Sequence, residues 1–200
     1  MLNPDQKDKL VRFSIDIETG GDNPHNRPLL EVGLCVVDEP EKSSTFMFVP
    51  DPMTYDREAL SAIRRPIEEF ISKGDHLVIG INKMLDYIDS VACGRKMEFV
   101  GLNMPFDWMF FRTVVSKVQA THKLPHKAYD IPSYGAGVFN LPLSSVGDER
   151  LCKLLEITSV DLIQKYNLFK NDKRTHTGEE DAKYQSRLLL ALEEYASNKK

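Results

Sequence analysis

The sequence has little cysteine, no long apolar run and no excess of positive charge, and each absence narrows what the chain can be. Its three cysteines, Cys35, Cys93 and Cys152, are odd in number and far apart, so they set neither a disulfide framework nor a zinc-binding spacing. They read as reduced thiols, with Cys35 in the core. No stretch reaches the roughly 20 apolar residues that span a bilayer, and the opening MLNPDQKDKL lacks the apolar centre of a secretory signal. A soluble, intracellular, cytoplasmic protein with no membrane partner is expected. The 26 basic and 30 acidic residues leave a formal charge of −4, so no basic coat announces a nucleic-acid partner. Acids gathered around divalent cations, however, would make that count overstate the negative field a phosphate meets. Internal repeats and low-complexity tracts are absent as well.

What is present suits one buried core. With 42% hydrophobic residues in 200, the chain is long enough for one domain and short for two, so residues 1–200 are expected to form a single unit with its core over about 11–196. From Val11 to Ile17 apolar residues alternate with Arg12, Ser14 and Asp16, and Glu18 continues the polar series. That is a strand pattern, and it puts Asp16 and Glu18 on the same face one pleat repeat apart. Gly20 and Gly21 end the strand. LLEVGLCVVD (29–38) and TFMFVP (45–50) read as two further strands, with DEPEKSS as the turn between them. Helix-period apolar residues mark 57–72 and 76–93. MEFVGLN (97–103) reads as a fourth strand followed by a helix opening at Pro105, and AYDI as a short fifth strand. The Gly-, Pro- and Ser-rich stretch 132–147 predicts a long surface loop. Strands first, then alternating helices and strands, predict an α/β domain with a mixed sheet.

Three polar clusters stand out from this frame. The first is Asp16 with Glu18, the second Asn103 with Asp107, and the third His176 with Asp181 in RTHTGEEDA. Thr177 followed three residues later by Glu180 is a capping-box signature, which starts the last helix near Gly178. Taken singly, each cluster has an ordinary explanation: an exposed strand face for the D-x-E pair, a helix-dipole charge for Asp107 and Asp181, and a solvated loop histidine for His176. A calcium loop beginning at Asp16 fails at Gly20, which offers no side-chain ligand, and at Arg27, where a bidentate Glu would stand.

Taken together and in this order, the clusters resemble the DEDD superfamily of 3′-to-5′ exonucleases, in the branch whose third motif contains histidine. D-x-E matches Asp16 and Glu18, N-x-x-x-F-D matches Asn103, Phe106 and Asp107, and His followed five residues later by Asp matches His176 and Asp181. LLEVGLCVVD is similar to the family's second strand, and Ala182 matches a small residue that often follows the last Asp. The resemblance spans about Phe13 to Ala182. Two positions depart from the usual pattern: Leu102 stands where many members carry His, and Gly178 where Ala is more usual.

The resemblance implies a ribonuclease H-like fold with a mixed five-stranded sheet, three antiparallel strands and then parallel ones, flanked by helices. It implies a metal-dependent 3′-to-5′ exonuclease acting on single-stranded 3′ ends of DNA or RNA and releasing nucleoside 5′-monophosphates, as a monomer or a homodimer. Two divalent cations, Mg²⁺ or Mn²⁺, would be held by Asp16, Glu18, Asp107 and Asp181. Such hard oxygen ligands suit these ions, and so many carboxylates gather only where cations offset their repulsion. His176 would be the general base, its ordinary pKa of about 6.5 leaving a neutral fraction near neutral pH. Thr19, Gly20, Leu30, Asn103 and Phe106 would contact the terminal nucleotide. The same fold also admits a catalytically retired module that grips nucleic-acid ends or a protein.

Overall fold

A computed structural model of the chain describes residues 5, 9–51, 55, 56, 61, 63, 65–168 and 177–199. Five strands, β1 (Leu10–Thr19), β2 (Leu29–Val36), β3 (Glu39–Met47), β4 (Lys96–Gly101) and β5 (Tyr129–Asp130), make one sheet in the order β3-β2-β1-β4-β5. β1, β2 and β3 pair antiparallel, while β4 lies parallel to β1 and β5 parallel to β4. The mixed sheet is the one the sequence predicts.

The helices follow from which face of β1 they cover. Val11, Phe13, Ile15 and Ile17 pack against α2 (Leu77–Ala92) and α3 (Met104–Ser116), where Ile81, Met84, Leu85, Phe110 and Phe111 share one buried cluster with them. Trp108, Phe110 and Phe111 are therefore core, and Phe99 stacks on Phe13 at 5.3 Å between ring centroids. The other face carries the polar residues. Arg12 is buried there and is neutralised by Asp38, at 2.9 Å and 3.0 Å, and by Glu193. A second apolar cluster on this face joins α4 (Ile131–Phe139), α5 (Asp148–Thr158), α6 (Val160–Lys165) and α7 (Gly178–Asn198). Among the described residues no helix is long and apolar enough to cross a membrane.

Three expectations are corrected by the fold. The stretch EPEKSS belongs to β3 rather than to a turn: it is the edge strand of the sheet, so its side chains face solvent or half-buried positions and the apolar alternation is lost. Stretch 132–147 is not a plain loop, because α4 fills its first half and a 3₁₀ turn spans Leu143–Ser145. Asp130 caps α4 by accepting from the Ser133 amide at 2.9 Å, and Pro132 sits in the first turn where its missing N–H costs nothing. Gly135 disguised this helix, and its role is packing: a Cβ there would stand 2.5 Å from Leu151 of α5. Finally, the helix expected over 57–72 is interrupted at Arg65 and Pro66: Ser61 and Ile63 ahead of them are helical and α1 (Ile67–Lys73) follows, while residues 57–60, 62 and 64 lie outside the described residues.

The N-terminus of α7 comes unusually close to the sheet. A Cβ on Gly33 of β2 would stand 1.8 Å from the Gly178 carbonyl carbon, and one on Gly178 would stand 2.8 Å from the Gly33 nitrogen. Gly178, where Ala is the more usual residue, thus has a local reason: backbone lies against backbone, with no room for even a methyl group.

Candidate active site and metal centre

β1 and β4 run parallel, so their C-terminal ends open on the same side of the sheet, the usual place for a site in such folds. Asp16 and Glu18 lie at the end of β1 and face α7, and Asp181 lies in the first turn of α7. One carboxylate oxygen from each of Asp16, Glu18 and Asp181 falls within 4.8 Å of the other two. Asp107, in the first turn of α3 just after β4, is 7% exposed. Its electrostatic influence reaches both Asp16 and Glu18. Acids from two of the three sequence clusters therefore converge, and Asp107 of the remaining cluster acts on them electrostatically.

Their protonation reports the cost of assembling them. Burial, and then the charges of Asp107, Asp181 and Glu18, push Asp16 well above the usual carboxylate range, while a hydrogen bond from Gln185 pulls the other way. Burial, followed by Glu31 and Asp181, pushes Glu18 up to about 8 against the opposing Arg65 charge. Asp107 is pushed up to about 8 by burial and Asp130. Like charges held this close favour protons or cations. An all-oxygen donor set with these separations fits a hard divalent cation such as Mg²⁺ or Mn²⁺.

Three further residues shape the site and carry no motif signal of their own. Gln185, one turn after Asp181, donates from Nε2 to Asp16 Oδ1 at 2.7 Å. Its Oε1 accepts from the Leu102 amide at 3.2 Å and from Ser14 Oγ at 3.3 Å, which fixes the direction of the amide. Asp130 accepts from the Met104 amide at 3.1 Å and so caps the start of α3, the helix that carries Asp107. Glu31 lies opposite Glu18 in the β1–β2 register and is fully buried. The i, i+4 spacing from Asp181 is a signal that finds Gln185 once the helix is known; nothing local in the sequence marks the other two.

The remaining predicted residues have these positions. Thr19 donates its hydroxyl to the Gly21 carbonyl at 2.7 Å. Gly20 is bonded through both its amide, to the Pro28 carbonyl at 2.9 Å, and its carbonyl, to the Asp56 amide at 2.8 Å. A Cβ on Gly20 would meet Pro28 at 2.6 Å and Tyr55 at 2.8 Å. Leu30 is fully buried in a small cluster with Ile63 and Phe70. Asn103 is exposed and left-handed, with φ 52°, at the turn into α3, a conformation Asn tolerates. Phe106 is half-buried beside Phe110, with ring centroids 5.9 Å apart. His176 lies outside the described residues, next to Thr177, whose hydroxyl accepts from the Glu180 amide and caps α7 as the sequence predicts.

No protein-family model matches the chain. It is 27% identical over 194 residues to the 3′-5′ DNA exonuclease Cap18 of Escherichia coli, covering 96% of this chain and 97% of that protein. The nuclease domain of 3′hExo, a DEDDh family member solved bound to rAMP, superimposes with a TM-score of 0.67 at 17% identity over 92% of each chain. This chain has the DEDDh exonuclease fold. Pop2p of S. pombe, solved in a Mg²⁺- and Mn²⁺-bound form, shares that fold with a TM-score of 0.59 at 12% identity, over 88% of this chain and 80% of its own. Other DEDDh-fold structures are longer, and the chain spans 64% of one and 40% of another. The curated relative and the fold are consistent with the resemblance that the motifs carry.

Proposed function

We propose that the chain is a metal-dependent exonuclease that removes nucleotides from the 3′ end of single-stranded DNA or RNA and releases nucleoside 5′-monophosphates. The observation that carries this reading is the convergence of Asp16, Glu18 and Asp181 within 4.8 Å at the end of β1. Asp107 completes the acidic set from α3. The whole-length similarity to a DNA exonuclease supports DNA as the first substrate to test. Asp16, Glu18, Asp107 and Asp181 would hold two divalent cations, which supply a nucleophilic water and stabilise the attacking and leaving oxygens when bound. Gln185 would hold the Asp16 carboxylate in one orientation for that task. His176, from the segment just ahead of α7, would accept the proton of the attacking water. Thr19, Gly20, Asn103 and Phe106 would line the place of the last nucleotide, whereas Leu30, expected there from the motifs, is fully buried with Ile63 and Phe70 and packs in the core instead; residues 1–200 would act as one domain.

Incubation of 5′-end-labelled single strands with Mg²⁺ or Mn²⁺ is expected to give a ladder shortened from the 3′ end. A folded, cation-bound protein that leaves matched DNA and RNA strands intact would identify a retired binding module instead. His176→Ala is expected to keep the fold and cation binding while slowing turnover by about 10² to 10⁴, the usual contribution of a general base. A near-wild-type rate at pH 7 removes His176 from that role.

A further inference from the structure

Resting on that reading of the site, we propose that Glu31 is a positioning residue that sets where the helix carrying Asp181 meets the strand carrying Asp16 and Glu18. The side chain is fully buried on β2, directly across from Glu18, and each of its oxygens has its own partner. Oε1 accepts from the Gly178 amide at 2.7 Å, and Oε2 accepts from Arg65 Nη1. Gly178 is the first residue of α7, and Asp181 follows within the same turn. A helix end otherwise leaves its first amides without partners; here one of them is bonded to a buried anion, the arrangement the helix dipole favours.

Two neighbouring features make this bond directional. Gly33, two residues along β2, removes any side chain from between the strand and α7, so the position of the helix end rests on the groups that bond it: Glu31 at the Gly178 amide on β2, and Ser43 and Thr45 of β3, which donate to Glu179 at 2.7 Å and 3.0 Å. Arg65 holds the other end of the carboxylate. Its remaining nitrogens bond Glu69 at 3.2 Å and 3.1 Å, and its guanidinium lies 4.7 Å from the centre of the Phe70 ring. Glu31 is thus gripped by a fixed fork and in turn grips the helix. Groups that orient metal ligands from behind commonly change cation affinity or activity about 10- to 100-fold when lost.

The test uses the full chain with Glu31→Ala and Glu31→Gln, each checked for folding by circular dichroism at the assay temperature. Mn²⁺ binding is measured by calorimetry without nucleic acid, and kcat and KM are measured on a labelled single strand. Glu31→Ala is expected to weaken Mn²⁺ binding at least about 10-fold and to lower kcat more than it raises KM, with added Mn²⁺ restoring part of kcat. Glu31→Gln still offers an amide oxygen to the Gly178 N–H but mismatches Arg65, so it falls between alanine and wild type. That ordering separates positioning from a general loss of stability. Folded variants with wild-type Mn²⁺ affinity and kcat overturn the Glu31 assignment alone, as does a glutamine variant no better than alanine. If Glu31→Ala does not fold, an unchanged Mn²⁺ affinity in Glu31→Gln overturns it. A wild-type chain that binds no Mn²⁺ overturns both this assignment and the exonuclease reading.

Discussion

Asp16→Asn is expected to leave a folded protein whose 3′-end cleavage is slowed at least about 10³-fold. Asp107, Asp181 and Glu18 all act on Asp16 electrostatically, and one of its oxygens lies within 4.8 Å of oxygens of both Glu18 and Asp181. Charge stabilisation by bound cations is worth several kcal/mol in such reactions, and about 4 kcal/mol corresponds to roughly 10³ in rate. The same change should make the cation-free protein more stable. An asparagine carbonyl can keep the 2.7 Å bond from Gln185, while the group that burial and three neighbouring acids hold far above its ordinary pKa is gone. Removing an acid that the fold can hold only with a proton or a cation, at a site shaped for function, is a common route to a more stable, inactive variant. Single-turnover trimming and thermal melts in EDTA at pH 8 measure both effects. More than about a tenth of wild-type activity, or a lower melting temperature, would contradict this account of Asp16.

The second large effect is the dependence of stability on pH and divalent cations. Glu18 and Asp107 have pKa values of about 8 in the folded chain, against ordinary values of 4.5 and 3.8. Between those limits the folded chain keeps protons that the unfolded chain has released. The stability associated with them is complete below the ordinary values and is lost as pH rises through about 8. The cation-free protein should therefore melt at a lower temperature at pH 9 than at pH 6. Mg²⁺ should reverse the trend, because at pH 9 it binds carboxylates that hold no proton to be displaced. At a free concentration about 100 times the dissociation constant the gain is about 2.7 kcal/mol. At roughly 2 to 4 °C per kcal/mol that is a rise of about 5 to 11 °C. Activity should disappear in EDTA and return with added Mg²⁺ or Mn²⁺. Equal melting temperatures with and without Mg²⁺ across pH 6 to 9 would mean that the acidic group is not a cation site.

What the sequence determined by itself is local and periodic. The alternation in β1 fixed the shared face of Asp16 and Glu18, because successive side chains of a strand point to opposite sides. Thr177 and Glu180 fixed the start of α7, and with it the first-turn position of Asp181, because a cap acts within four residues. The ordered motifs were enough to resemble the exonuclease family whose fold the chain has. The first part of edge strand β3, EPEKSS, and helix α4 were hidden because their stability comes from neighbours: β3 needs only one covered side, and α4 needs Gly135 to admit Leu151. The supporting residues of the site belong to the tertiary structure entirely. Gln185 meets Asp16 across 169 positions of sequence and Glu31 meets Gly178 across 147. No periodicity or capping rule spans such distances. Only the folding of α7 onto the polar face of β1 and β2 turns a glutamine and a buried glutamate into the groups that hold the acids in place.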